Sequence, residues 1–496
     1  MPDADTLLHG DFATLPDLIA AHARDRGDKI ALIHEDDTLS YAALDAAMDR
    51  FAAALQREHI AQRSAVAIVA AVSIPYAIAF LGSLRAGCVP TPIAPSSTDD
   101  QIAAMVADCG AELVLDDARL ADLDAWLAPE GTEPQPVTIV PADPFNIIYS
   151  SGTTGVPKGI VQSHAMRWSH ISRNEALGFG DAVTMIATPL YSNTTLVSFL
   201  PTLGWGGTCV LLGKFDAKAF LAAAAKNRAT HAMLVPVQYS RIMAVPDFDA
   251  HDLSSFRVKT CTSAPFSAAL KADVLARWAG LLIEYYGMTE GGGTCILIAN
   301  AHPDKLHTVG KPAEGCDIRL IDDDGNEVPQ GEMGEVVGRS GAMMTGYHGR
   351  RDATSAAEWF DADGNRYIRH GDVGRFDADG FLTLLDRKKD VIISGGFNIY
   401  PSDIEGVLND HPSVADGTVV GVPSDQWGET PMGFYVPVAG ADVEPETILD
   451  WVNARVGKTQ RLAGLQLIDE LPRNAIGKVL KRELRDRYQA AREVTA

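Results

Sequence analysis

The run Tyr149-Ser-Ser-Gly-Thr-Thr-Gly-Val-Pro-Lys-Gly159 gathers hydroxyls, glycines and one lysine directly after an apolar, strand-like stretch, Phe145 to Tyr149. Those residue types suit a phosphate. Glycine lets backbone N–H groups come close to an anion, Ser150, Ser151, Thr153 and Thr154 offer hydroxyl donors, and Lys158 adds positive charge. The loop is not of the GxxxxGK[ST] type, because Pro157 stands where the second glycine of that pattern belongs.

Further chemistry-bearing segments follow in order: Tyr285-Tyr-Gly-Met-Thr-Glu290, Gly371-Asp372-Val-Gly374, Asp386-Arg387-Lys-Lys-Asp390, Ser394-Gly-Gly-Phe-Asn-Ile-Tyr-Pro401 and Pro472-Arg-Asn-Ala-Ile-Gly-Lys478. Upstream lie Leu39-Ser-Tyr-Ala-Ala-Leu44 and Leu84-Arg-Ala-Gly-Cys-Val-Pro-Thr-Pro-Ile-Ala94. Together these motifs resemble the adenylate-forming superfamily, which includes acyl-CoA synthetases, peptide adenylation domains and luciferases, and the likeness covers nearly the whole chain.

The resemblance implies a reaction. A carboxylate is a poor acyl donor because its leaving group would be oxide, so it attacks the α-phosphate of ATP to give an acyl-adenylate and pyrophosphate. The protein must position the partners and neutralise growing negative charge. On this likeness Ser150, Ser151, Gly152, Thr153, Thr154, Gly155 and Lys158 hold the β- and γ-phosphates, and Glu290 holds Mg2+. Thr289 contacts the α-phosphate, and Tyr286, followed by Gly287 and Met288, offers a flat face to adenine. Asp372 and Arg387 meet the ribose, and Lys478 compensates charge on the carboxylate and α-phosphate.

The second half-reaction needs a nucleophile. Ser394 to Glu405 is similar to acyl-CoA and aryl-CoA ligases, where Gly395 and Gly396 leave room for a pantetheine arm, and Asp425-Gln-Trp-Gly428 is also ligase-like. Trp427 is expected either against the CoA nucleotide or in the core of a C-terminal lid. Two segments depart from the resemblance. Lys458-Thr-Gln-Arg-Leu-Ala463 replaces an aromatic-Lys-x-Pro element, leaving Arg461 as the expected CoA phosphate contact, and Pro189-Leu-Tyr-Ser192 lacks a histidine frequent at the acyl pocket. The expected acyl wall is Tyr191, Ser192, Asn193, Thr194, Val235, Gln238, Ser263 and Tyr285, with Gly291 to Gly293 removing bulk at its end. No lysine or arginine is among these residues, so a second substrate carboxylate would be buried unpaired. A monocarboxylic acid of aromatic, alicyclic or medium-chain type is expected.

These residues need a scaffold, and the rest of the chain reads as one. Its 496 residues are 46% hydrophobic, enough for two or three domains. A net charge of -23 argues against nucleic-acid binding, so anionic substrates must be met by local cations. Six scattered cysteines without a CxxC pair suggest reduced thiols, and the acidic N-terminus suggests no signal peptide, hence a cytoplasmic location. Uncharged Ala65 to Leu84 is interrupted by Pro75 and reads as a buried strand, Val66 to Val72, and a helix from Pro75, not as a membrane insertion.

Strand-like Val66 to Val72, Leu113 to Leu115 and Thr208 to Leu212 alternate with helical Tyr41 to Arg57 and Phe220 to Lys226, the pattern of an α/β protein with parallel sheets. After about Gly315 short strands and acidic turns, Asp322 to Gly325 and Asp377 to Gly380, predict a β-rich subdomain with solvated hairpin turns. The expected division is a large N-terminal domain, 1–386, and a small mobile α+β C-terminal lid, 387–496. The resemblance puts the hinge at Lys389.

The leading expectation is an AMP-forming carboxylate-CoA ligase using ATP, Mg2+ and CoA. The alternatives are an adenylate former that passes its acyl group to an amine or a carrier protein, and a nucleotide-binding relative without turnover. Oligomeric state is not legible in the sequence.

Overall fold

The computed structural model describes residues 2–150, 157–173, 175–394, 397–424, 426–441, 443–474 and 477–495. Internal packing divides them into two units, one of residues up to 318 with 338–368, the other of 319–337 with 369–496. This division is a property of packing, separate from the hinge expected near Lys389.

In the first unit a nine-stranded sheet has six parallel strands at its centre: Leu281–Tyr286, Val258–Cys261, His231–Leu234, Val183–Ile186, Thr208–Leu211 and Ile30–His34. Antiparallel strands finish both ends. The central parallel strands are buried on both faces, as expected where crossover helices cover a parallel sheet. Val66 to Val72 appears as the parallel strand Ala65–Val69 between Val89–Pro92 and Leu113–Asp116, and the helix after it is Ile74–Arg85, capped by the Ser73 side chain with Pro75 in its first turn. Among the described residues no helix is long and apolar enough to cross a membrane. Helix Tyr41–Arg57 matches its sequence bounds, because Ser40 caps its start and apolar residues recur on one face.

The phosphate-type loop joins Pro144–Ser150 to the antiparallel strand Lys158–Ser163, which also pairs with Gly346–Tyr347. It is therefore the connection of a β-hairpin. Residues 151–156 lie outside the described residues.

The second unit carries a five-stranded sheet in which Gly428–Pro437 runs antiparallel to Val414–Ser424 and Ile392–Ser394, and parallel to Gly464–Leu467. Helices Pro401–Asn409 and Pro445–Asn453 cover one face through Ile404, Leu408, Ile448 and Val452, while Leu484 of Lys481–Thr495 enters a cluster with Val420, Val422 and Phe434. The acidic turn at Asp377 links Arg366–Phe376 to Leu382–Arg387, with the Asp377 carboxylate accepting from Asp379 and Phe381 N–H at 2.9 Å each. This is an Asx-type hairpin turn, as its composition suggests.

Strand Leu281–Tyr286 delivers the Tyr-Gly-Met-Thr-Glu segment, and its position rests on a buried ion pair. Lys271, in helix Ala268–Arg277, pairs with Glu284 in that strand, and also donates to the carbonyls of Leu306 (2.7 Å) and Thr308 (3.1 Å). Both side chains are almost wholly inaccessible. Burial raises the Glu284 carboxyl, to about 7, with Lys271 opposing. Lys271→Met strands the carboxylate in the interior and should destabilise the fold by about 3 kcal/mol. A raised folded pKa means stability lost as pH rises, so the deficit in urea unfolding should be larger at pH 8 than at pH 6. An equal deficit at both pH values would contradict this account.

Candidate active site

The residues expected to line the acyl pocket share one address. Val235 follows strand His231–Leu234, Ser263 follows Val258–Cys261, Tyr285 is the penultimate residue of Leu281–Tyr286, and Tyr191 to Thr194 follow Val183–Ile186. All therefore lie at or just past the C-terminal ends of parallel strands, where open α/β sheets bind ligands. Helix Asn193–Gly204 starts here, capped by Ser192, whose side chain accepts from Thr194 N–H at 3.3 Å.

Three details revise what the wall offers. Gln238 is buried and its amide is held by main chain, donating to the Ala187 carbonyl at 2.7 Å and accepting from Val235 N–H at 3.1 Å; it shapes the wall from behind. Ser263 has φ +83°, a conformation costly for a residue with a Cβ, and its hydroxyl shares a 2.5 Å hydrogen bond with Thr194 Oγ1. Gly291, Gly292 and Gly293 all have positive φ. A Cβ at Gly291 would fall on the Ala342 carbonyl oxygen, and one at Gly293 would meet Ile318 Cδ1 at 2.6 Å. These glycines are required by backbone conformation and close packing, so Gly293→Leu would disturb the fold and would not selectively shorten the acids accepted.

A second constellation gathers around Glu290. Tyr347 donates its hydroxyl to Glu290 Oε1 at 2.8 Å, and Lys158 Nζ stands 4.9 Å from the Tyr347 ring centroid. Cross-strand pairing explains the meeting, since Tyr347 lies opposite Ile160 in the strand that Lys158 begins. Met344 N–H also donates to the Glu290 carbonyl at 2.8 Å. Among the described residues no group of three or more His, Cys, Asp or Glu could hold a metal. One carboxylate with one oxygen engaged by Tyr347 nevertheless fits Mg2+, which is commonly held by one or two carboxylates and completed by phosphates and water. Tyr286 is buried, while Gly287 is exposed and Met288 and Thr289 are half-buried.

The second unit brings Asp372, Arg387, Lys389 and Lys478 together. Asp372 and Arg387 are paired across adjacent antiparallel strands, with Arg387 Nε 2.7 Å from Asp372 Oδ1, so the two ribose candidates first meet each other. Lys389 lies in the short 3-10 turn Lys388–Asp390, and Arg485 holds Asp390 at 2.5 Å. Lys478 is carried by a tight turn in which its N–H donates to Asn474 Oδ1 and Asn474 N–H donates back to its carbonyl, each at 2.9 Å.

The four CoA candidates split. Gly395 and Gly396 lie outside the described residues, as do Ser151, Gly152, Thr153, Thr154 and Gly155 of the phosphate loop; only the backbone of Ser150 is described. Trp427 is 51% exposed, which rules out the lid-core reading, and Phe397 and Ile393 nearby in strand pairing are 62% and 58% exposed. Arg461 is exposed beyond the turn Lys458–Gln460. Five cysteines are buried and Cys316 half-buried, all free.

The site also contains residues that the motifs did not reveal. Tyr347 is one. Gln162 is another, buried in the strand after Lys158 and donating to the Thr289 carbonyl at 2.8 Å. A polar residue inside the apolar run Gly159-Ile-Val-Gln162 was the available signal.

Comparison with known proteins assigns the class. The AMP-binding enzyme family matches residues 19–348, and the AMP-binding enzyme C-terminal domain matches 403–478. The chain belongs to this family and is an enzyme of the AMP-forming acyl-CoA synthetase class. It is 33% identical to a feruloyl-CoA synthase of Amycolatopsis sp over 92% of this chain and 96% of the relative. It is 30% identical to a fatty acid–[acyl-carrier-protein] ligase of Streptomyces coeruleorubidus over 99% and 100%. Among solved structures, o-succinylbenzoate CoA synthetase of Bacillus subtilis with its acyl-adenylate has a TM-score of 0.85 at 26% identity, covering 96% of this chain and 99% of that one.

Burial, together with Arg387 and Lys389, lowers Lys478 to about 8, with Asp372 and Asp390 opposing. A depressed lysine loses its charge as pH rises through that value. If the charged form serves adenylation, ATP–pyrophosphate exchange should fall along a one-proton limb above about pH 8. Lys478→Arg, charged throughout, should be slower but should lack that limb. A wild-type rate flat to pH 10 would exclude the charged form as the working species.

Proposed function

We propose that this enzyme joins an aromatic, alicyclic or medium-chain monocarboxylic acid to CoA through an acyl-adenylate, in the cytoplasm. The observation that carries the acid class is the wall itself: neutral residues at the ends of parallel strands, with Ser263 and Thr194 hydrogen-bonded across it and no cationic side chain among the wall residues. A second carboxylate there would be desolvated without a partner. The feruloyl-CoA synthase relative supports the aromatic end of this range.

In adenylation the acid oxygen attacks the α-phosphorus and pyrophosphate leaves. Lys158 and the hydroxyls of the phosphate loop meet the departing phosphates. Glu290, oriented by Tyr347, holds Mg2+, which when bound neutralises phosphate charge. Thr289 contacts the α-phosphate, Tyr286 the adenine, and Asp372 and Arg387 the ribose, for which Arg387 must share or release its carboxylate partner. Lys478 stabilises charge on the acid and α-phosphate oxygens. In thioester formation the CoA thiolate attacks the acyl carbon and AMP leaves. Gly395 and Gly396 admit the pantetheine arm, and exposed Trp427 and Phe397 offer the nucleotide an apolar face. Arg461 supplies positive charge to its phosphates.

The same exposed apolar face would also suit a carrier protein, and the acyl-carrier-protein ligase relative favours testing that acceptor. A panel of carboxylic acids scored for AMP release with CoA, with a carrier protein and with neither tests acid and acceptor at once. CoA-dependent AMP release with a monocarboxylic acid is expected. Malonate or succinate as the best acid, or release only with a carrier protein, would replace this reading.

We place the hinge between the two half-reactions at Lys389, with 1–386 before it and the lid 387–496 after it. Lys389→Pro restricts backbone rotation there. Pyrophosphate exchange should survive in this variant while thioester formation from supplied acyl-adenylate falls at least about tenfold. Normal rates in both assays would move the hinge elsewhere.

A further inference from the structure

Arg167 is wholly buried in helix His164–Ser172, and no described carboxylate forms an ion pair with it. Its guanidinium donates to Asn146 Oδ1 at 3.0 Å and to Gln162 Oε1, and lies 3.5 Å from His170 Nδ1. Asn146 Nδ2 donates to the same Gln162 oxygen at 3.1 Å. Asn146 and Gln162 are themselves inaccessible to solvent. A buried cation met only by neutral groups is costly, and hydrophobic replacement of such groups commonly stabilises a protein. The arrangement therefore calls for a purpose other than stability.

The far side of Gln162 supplies one. Its amide nitrogen donates to the Thr289 carbonyl at 2.8 Å and reaches Asn193 Oδ1 at 3.4 Å. Thr289 precedes the carboxylate that Tyr347 orients, and Asn193 opens the helix at the acid wall. An amide can sit in either of two orientations, and here only one is allowed. Arg167 can only donate, so it demands the Gln162 oxygen; the Thr289 carbonyl can only accept, so it demands the nitrogen.

We propose that Gln162, oriented by Arg167 and Asn146, is a positioning residue that locks the nucleotide-binding main chain at Thr289 to the acid-binding helix at Asn193. Binding of ATP and binding of acid thus share one buried amide. The inference rests on the adenylating function proposed above.

Gln162→Glu separates positioning from folding. The carboxylate keeps an acceptor for Arg167 and gains its charge, yet it presents an oxygen to the Thr289 carbonyl and removes the donor. Gln162→Met removes both arms without adding charge, and Arg167→Met removes the cation that orients the amide. In pyrophosphate exchange with the full chain, corrected for the active fraction, each should lower kcat/KM at least about tenfold, with KM for ATP and for acid both rising. Arg167→Lys, another pure donor, should restore the KM values towards wild type. Gln162→Met with Arg167→Met should be no worse in KM than Gln162→Met alone, because both act through one amide. Variants that lose only thermal stability or active fraction, with both KM values unchanged, would overturn the proposal. Wild-type exchange tests the adenylating function itself. ATP affinity by calorimetry in Gln162→Glu and Gln162→Met tests the Thr289 arm even without turnover: a severalfold loss is expected, and wild-type affinity in both would refute that arm.

Discussion

The ion pair between Lys271 and Glu284 governs where the first unit's chemistry can sit. It fixes the last parallel strand of the nine-stranded sheet against its covering helix and, through the Leu306 and Thr308 carbonyls, against the chain that leads to the edge strand. That strand ends in Tyr285 and Tyr286, and the four residues that follow, Gly287 to Glu290, must begin from wherever it exits. Upstream the exit is held by opposite charges, whose attraction is strong because water is excluded. Downstream it is held at Thr289 by a neutral amide. The segment between them has little freedom to wander, which suits a contact to a reacting phosphate that must be met with sub-ångström accuracy.

An acidic protein that binds polyphosphate must prevent its own carboxylates from neutralising the cations it needs. Two solutions coexist here. Lys158 stands over the π face of Tyr347, which attracts a cation without supplying a full negative charge. Lys478 is instead half-buried beside two other cations, Arg387 and Lys389, and its ammonium is weakened first by desolvation and then by that company. An incoming anion would relieve both the desolvation and the repulsion, so ligand charge and lysine charge favour one another. Arg387 follows a different course and keeps Asp372 as a partner.

The α/β pattern was legible because apolar runs bounded by glycine, proline and capping hydroxyls leave few alternatives: Ser40 starts Tyr41–Arg57 and Ser73 starts Ile74–Arg85, each by a side-chain cap. The motif residues were legible through their resemblance to a family. Long-range partners were not. Nothing local in the sequence joins Tyr347 to Glu290, or Arg167 to Gln162 and thence to Thr289, since those contacts depend on strand pairing and on how one helix lies over a hairpin. The glycine run was noticed but misread. Lack of bulk looked like its purpose, whereas left-handed backbone at three successive residues is a conformational demand visible only in torsion angles.

That glycine run constrains how the enzyme can diversify. A pocket changes its preferred acid by exchanging side chains, and Gly291 to Gly293 offer none to exchange, because a Cβ at Gly291 or Gly293 runs into neighbouring atoms and all three torsions disfavour one. At these three residues the backbone is a fixed boundary condition. Variation is channelled to positions that carry a side chain on an ordinary backbone, the start of helix Asn193–Gly204 and Val235. Libraries aimed at new acids would find their yield there, and selection acting on the natural gene meets the same asymmetry.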